Sequence, residues 1–391
     1  MQAKSYDYIF LGGGCASLSI IMRMIASEKF SQKKILLVDR EPKIRNDRTW
    51  CFWEQEAGFF EDIVYRKWTH LLFKTDEVSI PLEMGRYQYK MIRGIDFYNK
   101  CLSDIKLRGN IDIMYGEISF EEANGSMRIK INNEILYYNP EAVLFNSLYA
   151  PPPGEKGKFH LLQHFKGWVV EAGADSFDAK QATLMDFRVA QTHGTAFVYV
   201  LPLSSDKALV EYTFFSENLR RPAEYNIGLK NYLEEFLGVS SYTIVEEEFG
   251  VIPMTNANFP FFKNGMFFIG TAGGQTKPST GYTFRFIQKQ ADAVVSQLIS
   301  TGALSKNKIL KTRFYFYDST LLHILSKNLL PGKTIFSILF KKNRADKVLK
   351  FLDNETSVAE EIQLLNSLPK RIFIKAGVTE FTKMILRRRK S

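Results

Sequence analysis

The stretch YDYIFLGGGCASLSIIMRMIASEKFSQKKILLVDRE, Tyr6 to Glu41, decides the fold. Tyr8 to Leu11 form a short apolar strand, three glycines turn the chain, and Leu18, Ile21 and Ile25 recur at helical spacing. Ile35 to Val38 form a second strand that ends in Asp39. This order is a βαβ unit and predicts an α/β chain built on a parallel sheet. The turn reads Gly12-x-Gly14-x-x-Ser17. Gly12 permits the tight turn and Gly14 lets the backbone approach a pyrophosphate at the helix N-terminus. Ser17 replaces the usual third glycine but is small enough for close packing of helix on strand. Asp39 stands where a carboxylate accepts hydrogen bonds from a ribose diol, so the expected ligand is a dinucleotide with a free 2′-hydroxyl.

A second glycine cluster lies late in the chain, in GMFFIGTAGGQTKPSTGYTFRF, Gly265 to Phe286. It predicts a strand at Met266 to Ile269, a loop carrying Gly270, Gly273, Gly274, Pro278, Thr280 and Gly281, and a helix from about Tyr282. This stretch resembles the late strand, loop and helix of FAD enzymes of the glutathione-reductase type. The resemblance implies that N–H groups at Ser279, Thr280 and Gly281 face the N1–C2=O edge of the flavin from a positive helix end.

Alternating strands separate the two clusters: ISFEEANGSMRIKINNEILYY with an Asn124-Gly125 turn, GWVVEAG, and GTAFVYVLPLSSDKALVEYTFF with a turn near Ser204 to Lys207. They predict an inserted antiparallel sheet walling a substrate cavity. The expected architecture is therefore an FAD-binding, Rossmann-like unit made of residues 1–80 and 250–300, with 128–165 as a further candidate piece. Residues 81–249 form the substrate-binding β-sheet region, and 301–391 a basic helical C-terminal segment. PPPGEKGK, from Pro151, reads as a loop.

Composition narrows the function. With 32 Phe and 18 Tyr the chain suits an apolar ligand as well as an aromatic core. Of the net charge of +10, the segment from Thr301 carries 19 Lys and Arg against 7 Asp and Glu, a surplus of 12, so the rest is near neutral. No nucleic-acid-binding motif accompanies this charge. Basic runs that include apolar residues, TIFSILFKK and FTKMILRRRKS, fit an anionic membrane surface. No apolar run is long enough to span a bilayer, and the first strand lacks the flanks of a signal peptide, so the expected location is the cytoplasm with peripheral membrane contact. Cys15, Cys51 and Cys101 form no paired spacing and the five histidines are scattered, which predicts neither disulfide nor metal site.

In LVEYTFFSE, Leu209 to Glu217, an acid interrupts a strand otherwise suited to an interior. A carboxylate seldom enters a core without a partner or a task. Glu211 is thus the leading catalytic candidate.

NDRTWCFWE (Asn46 to Glu54), LQHFKGWVVE (Leu162 to Glu171), LMDFRVAQTHGTAFVYVLPLS (Leu184 to Ser204), EEFGVIPMT (Glu247 to Thr255) and GTAGGQTKPSTGYTFRF (Gly270 to Phe286) resemble, in order, motifs of the lycopene β-cyclase family of carotenoid biosynthesis. The resemblance implies an FAD-containing isomerase that closes the ends of lycopene into β-ionone rings, giving γ- or β-carotene without net redox change. It implies reduced FAD with NAD(P)H as electron source, lycopene drawn from a membrane, and neighbouring carotenoid enzymes as partners. The family's essential glutamate falls on Glu211, and Tyr212 stands where relatives carry a second acid. Trp50, Phe52, Trp53, Tyr212 and Phe214 fall in family motifs as substrate-pocket candidates, able to stabilise a carbocation through their π faces. Arg48 is placed either to pair with Asp47 or to contact the flavin region, and Arg188 with Asp186 reads as a structural ion pair. The rival readings are another flavoprotein of this fold, a monooxygenase or prenyl reductase, and a non-catalytic carotenoid carrier.

Overall fold

The computed structural model describes residues 5–123, 126–152, 154, 157–306 and 313–388, of which 123, 126, 387 and 388 are described by backbone only. The expected Asn124-Gly125 turn, part of PPPGEKGK and the last three residues of the basic tail lie outside them.

Tyr8–Leu11 and Ile35–Asp39 are buried along their whole length, as strands covered on both faces must be. They pair in parallel within a six-stranded sheet that runs Phe262–Lys263, Met266–Phe268, Val143–Asn146, Tyr8–Leu11, Ile35–Asp39 and Ile111–Tyr115. Only the Phe262–Lys263 edge is antiparallel. The helices Cys15–Ser27, Gly94–Lys106 and Phe284–Thr301 cover one face, with Leu18, Ile21, Phe97 and Ile287 packing on Phe10, Leu37 and Phe145. The expected hairpin, Ile118–Ala123 with Ser126–Ile131, covers the other face, where Ile129 and Ile131 meet Ile9, Leu11, Leu36 and Val38. It therefore does not wall a substrate cavity. Its period-two apolar side is spent on the nucleotide sheet.

The second layer is a seven-stranded sheet in the order Tyr242–Thr255, His160–Ala172, Lys207–Ser216, Thr195–Pro202, Gln181–Asp186, His70–Lys74 and Ser79–Leu82. Residues 70–80, assigned from sequence to the nucleotide unit, lie at its far edge, whereas residues 94–115, assigned to the substrate region, complete the parallel layer. The turn after Pro202 is closed by Ser204 N–H donating to the Lys207 carbonyl at 3.1 Å, where the hairpin was expected. One face of the large sheet holds the helix Pro222–Asn231 through Val198, Val210, Tyr212 and Phe214. The other meets a three-stranded sheet made of Thr49–Glu54, Gln88–Arg93 and Arg66–Trp68.

The C-terminal helices belong to the main core. Within TIFSILFKK, Ile335, Phe336, Leu339 and Phe340 are buried, and the Phe340 ring lies 5.0 Å from that of Phe73 on the large sheet. This run thus turns its apolar side inward, with Thr334, Ser337 and Ile338 half-buried and only Lys341 and Lys342 exposed. The late glycine loop is stapled to the same helices: Lys277, 3% exposed, places its ammonium 2.9 Å from Asp318 Oδ1 and 2.7 Å from Asn354 Oδ1, and Ser279 Oγ donates to Asp318 Oδ1 at 2.6 Å. Removing one partner of a buried pair strands the other's charge, at a cost of about 3 kcal/mol. Asp318→Ala is expected to lower stability by that order in urea unfolding, and a loss within the noise of a surface substitution would contradict the staple.

Candidate functional site

Two walls make the site. The first is the pair of glycine clusters. Gly12 has φ +95°, in the region that disfavours side chains. Gly13 N–H donates to Asp39 Oδ2 at 2.8 Å and Arg40 N–H to Asp39 Oδ1 at 2.6 Å, which fixes the carboxylate against the turn. Gly14 caps the helix Cys15–Ser27 with no side-chain cap, no acid in the first turn, and nothing within 4 Å of the place a Cβ would occupy. The free N–H groups and positive helix end are therefore open to an anion. Ser17 is buried beneath them, its hydroxyl 3.3 Å from that of Ser147.

The late loop rests on this helix. Gly270 lies so close that a Cβ on it would stand 2.8 Å from Ala16 Cβ. The loop ends differently from expectation, because the helix starts at Phe284 and Gly281 N–H donates to the Lys277 carbonyl at 2.9 Å. A closed turn from Lys277 to Tyr282 containing Pro278, Thr280 and Gly281 thus replaces the expected free helix end. Gly273 and Gly274 close the preceding short helical turn, Gly274 at φ +77°. Thr280 Oγ1 and Gln163 Oε1 are buried beside the loop without a hydrogen-bond partner. Such unmet capacity, together with the open cradle at Gly14, fits a polar dinucleotide lying along both clusters.

The second wall is the face of the large sheet. A cavity of about 400 Å³ lies between it, the strand Thr49–Glu54 and the late loop, with Trp50, Cys51, Tyr199, Glu211, Glu248 and Tyr282 among its lining. Strand periodicity sorts the sequence candidates. Tyr212 and Phe214 face the opposite side of the sheet and pack on the helix Pro222–Asn231, so they do not reach the cavity. Phe52 stacks on Phe284 at 4.4 Å, and Trp53 stands edge-on behind Tyr282 at 4.7 Å. Trp50 alone of the five lines the cavity. Arg48 pairs with Asp47 at 3.3 Å on its rim, and Arg188 with Asp186 at 2.6 Å elsewhere.

Glu211 occupies the cavity floor and accepts a hydrogen bond from Thr213 Oγ1 at 2.8 Å. It is not the only acid there. In the sheet register Tyr199, Glu211, Gly167 and Glu248 form one row across four strands, so the two carboxyls flank a residue with no side chain. Glu248 Oε2 accepts from Thr49 Oγ1 at 2.8 Å, while its Oε1 is buried without a geometric partner. Burial, then the charge of Glu248, hold Glu211 well above the usual carboxylate range. Burial also lifts Glu248 to about 7, against the lowering effect of the hydrogen bond from Thr49 and of the neighbouring Glu211 carboxyl. Burial likewise pushes up the Cys51 thiol and the Tyr89 and Tyr199 phenols, so these groups stay neutral around pH 7. The site can keep a proton on oxygen beside aromatic side chains, which is what transfer to a poor base such as carbon requires.

The sequence reading missed Glu248. Glu248 stands in a run of three acids, of which Glu246 and Glu247 are exposed, the latter paired with Lys166 at 2.8 Å. The available signal was alternation, which sets Glu248 on the opposite face from Glu247.

Comparison with known proteins agrees with this geometry. Residues 7–376 match the family model described as lycopene cyclase protein. A lycopene beta-cyclase of Pantoea ananas is 25% identical over 309 residues, covering 76% of each chain. One of Pseudescherichia vulneris is 24% identical over 308 residues, covering 74% of this chain and 73% of its own. Among solved structures, a flavoprotein/dehydrogenase from Cytophaga hutchinsonii shares the fold at a TM-score of 0.63 and 10% identity, over 97% of this chain and all of that one. With a match over nearly its whole length, the chain belongs to the lycopene cyclase family.

Proposed function

We propose that the chain closes the ends of lycopene into β-ionone rings, giving γ- or β-carotene, with Glu211 as the acid. The observation that carries this reading is a carboxyl on the floor of an aromatic cavity, its ionisation disfavoured by burial and by a second carboxyl, beside loops that fit a dinucleotide. Glu211 gives its proton to a carbon of the terminal double bond, whose π pair forms the new C–H bond. The next double bond attacks the resulting cation and closes the ring. A ring C–H then breaks, its electron pair becomes the ring double bond, and its proton returns to carboxylate. No electron is gained or lost. Trp50, Tyr199 and Tyr282 supply π faces to the cation, each worth on the order of 1 kcal/mol.

The residues that would hold FAD are Gly12, Gly14, Ser17 and Asp39 on the first cluster and Gly270, Gly273, Gly274, Pro278, Thr280 and Gly281 on the second. Held there and reduced by NAD(P)H, FAD would supply negative charge that favours a nearby cation.

In a lycopene-accumulating bacterium the wild-type gene is expected to turn red cells orange-yellow, while Glu211→Gln leaves them red, with turnover lower by about 10³-fold. One NAD(P)H consumed per product would instead favour a reductase or monooxygenase. Carotene binding without conversion would favour a carrier.

The membrane part of the proposal rests on the last helix. No helix among the described residues is long and apolar enough to cross a membrane. On Lys370–Arg388, however, Ile374, Val378, Phe381 and Ile385 form an exposed stripe, beside Lys375 and Lys383. Apolar area on a basic helix suits the surface of an anionic bilayer, from which a hydrophobic substrate would be drawn. Binding to phosphatidylserine-containing vesicles is expected to weaken with salt and to fall at least tenfold in an Ile374→Ser, Val378→Ser, Phe381→Ser variant. Binding unchanged in that variant would contradict the assignment.

A further inference from the structure

We propose that Glu248 is a positioning residue that keeps the proton on Glu211, and that Gly167 is the gap across which it acts. The inference rests on the reading of Glu211 as the acid.

Geometry leaves few other candidates for this role. Thr213 donates to Glu211 Oε1, which by itself favours the ionised carboxylate. A residue at position 212 points to the far face of the sheet, so no acid placed there could reach Glu211. The same cross-strand row supplies an acid that can, Glu248, because the intervening residue has no side chain. A Cβ on Gly167 would stand 2.9 Å from Glu248 Cγ, 3.2 Å from Glu248 Oε1 and 3.0 Å from Leu209 Cδ1. Any larger residue would therefore displace the second carboxyl. Thr49 anchors Glu248 from the opposing small sheet, leaving Oε1 above Gly167 between the two strands.

The surroundings do not offset the effect. Cys51 and Tyr89 on the small sheet, Tyr199 on the large one and Tyr282 on the late loop face the pair as neutral groups. Glu246, on the same strand as Glu248, adds negative charge. Arg48 on the cavity rim is engaged by Asp47. When Glu248 ionises, its charge opposes the loss of the remaining proton from Glu211, so Glu211 stays an acid to higher pH. After Glu211 has protonated carbon, two carboxylates face each other, which makes Glu211 a stronger base for the ring proton.

The test is a pH titration read in two ways on the flavin-loaded protein: infrared absorption of protonated carboxyl C=O, which needs no substrate, and the alkaline limb of lycopene turnover. In the wild type a carboxyl band is expected to persist well above the ordinary carboxylate range, and its last-titrating component to be absent from Glu211→Gln. In Glu248→Gln and in Gly167→Ala that band, and the alkaline limb with it, should shift down by about one pH unit or more, the effect of losing a close like charge. Glu248→Asp should recover part of the shift. A band that titrates unchanged in both Glu248→Gln and Gly167→Ala would overturn the inference, since a merely structural loss would lower amplitude without moving the midpoint. Shifted infrared titrations with no lycopene turnover in the wild type would instead overturn the cyclase reading and leave the carboxyl pair standing.

Discussion

An acid that is to protonate carbon must remain uncharged where water would otherwise ionise it, and on the proposed mechanism the two carboxyls aligned across Gly167 would satisfy that constraint. Neither alternative neighbour serves. A cation beside Glu211 would favour its ionised form and draw off the proton, and an apolar neighbour would leave only burial to hold it. The arrangement carries a folding penalty, because a carboxyl whose folded pKa is raised withdraws stability as pH rises from its unfolded value toward the folded one. For Glu248 that window runs from the ordinary carboxylate range to about 7. The rest of the molecule offsets this penalty with a core shared by both sheets and the C-terminal helices.

The same constraint explains why the parts are interleaved. Glu211 and Glu248 come from the large sheet, Thr49, Trp50 and Cys51 from the small one, and Tyr282 from the loop that also closes the dinucleotide site. The cavity is therefore enclosed only when the nucleotide layer, the large sheet and the loop are in register. The Lys277–Asp318 pair ties that loop to the C-terminal helices, and Gly270 brings it against the first helix. A bound dinucleotide would complete the enclosure from the side where Thr280 and Gln163 have unmet hydrogen-bonding capacity.

Much of this was legible in the residues. The βαβ unit announces itself because its buried strands are continuous apolar runs and its helix is periodic, both local properties. Glu211 stood out as a charge in an interior strand. Glu248 did not, because a run of three acids looks solvated and only the sheet register, a long-range property, brings it opposite Gly167. Alternation along Lys207–Ser216 would have excluded Tyr212 and Phe214 from the cavity, and it shows why the acid that supports Glu211 comes from another strand instead of from position 212. The run Thr334–Lys342 was misjudged for a related reason: an amphipathic helix declares that it has an apolar face but not what covers it, and here the cover is Phe73 and its neighbours.

The central claim is that the reaction is protonation of carbon by an enclosed carboxyl, followed by loss of a different proton. Turnover of lycopene in D₂O measures this directly by the mass of the carotene formed. The account predicts one solvent deuterium retained in each ring closed, with no oxygen or net hydrogen added. A product with unlabelled rings, or one heavier by a reducing pair, would contradict it.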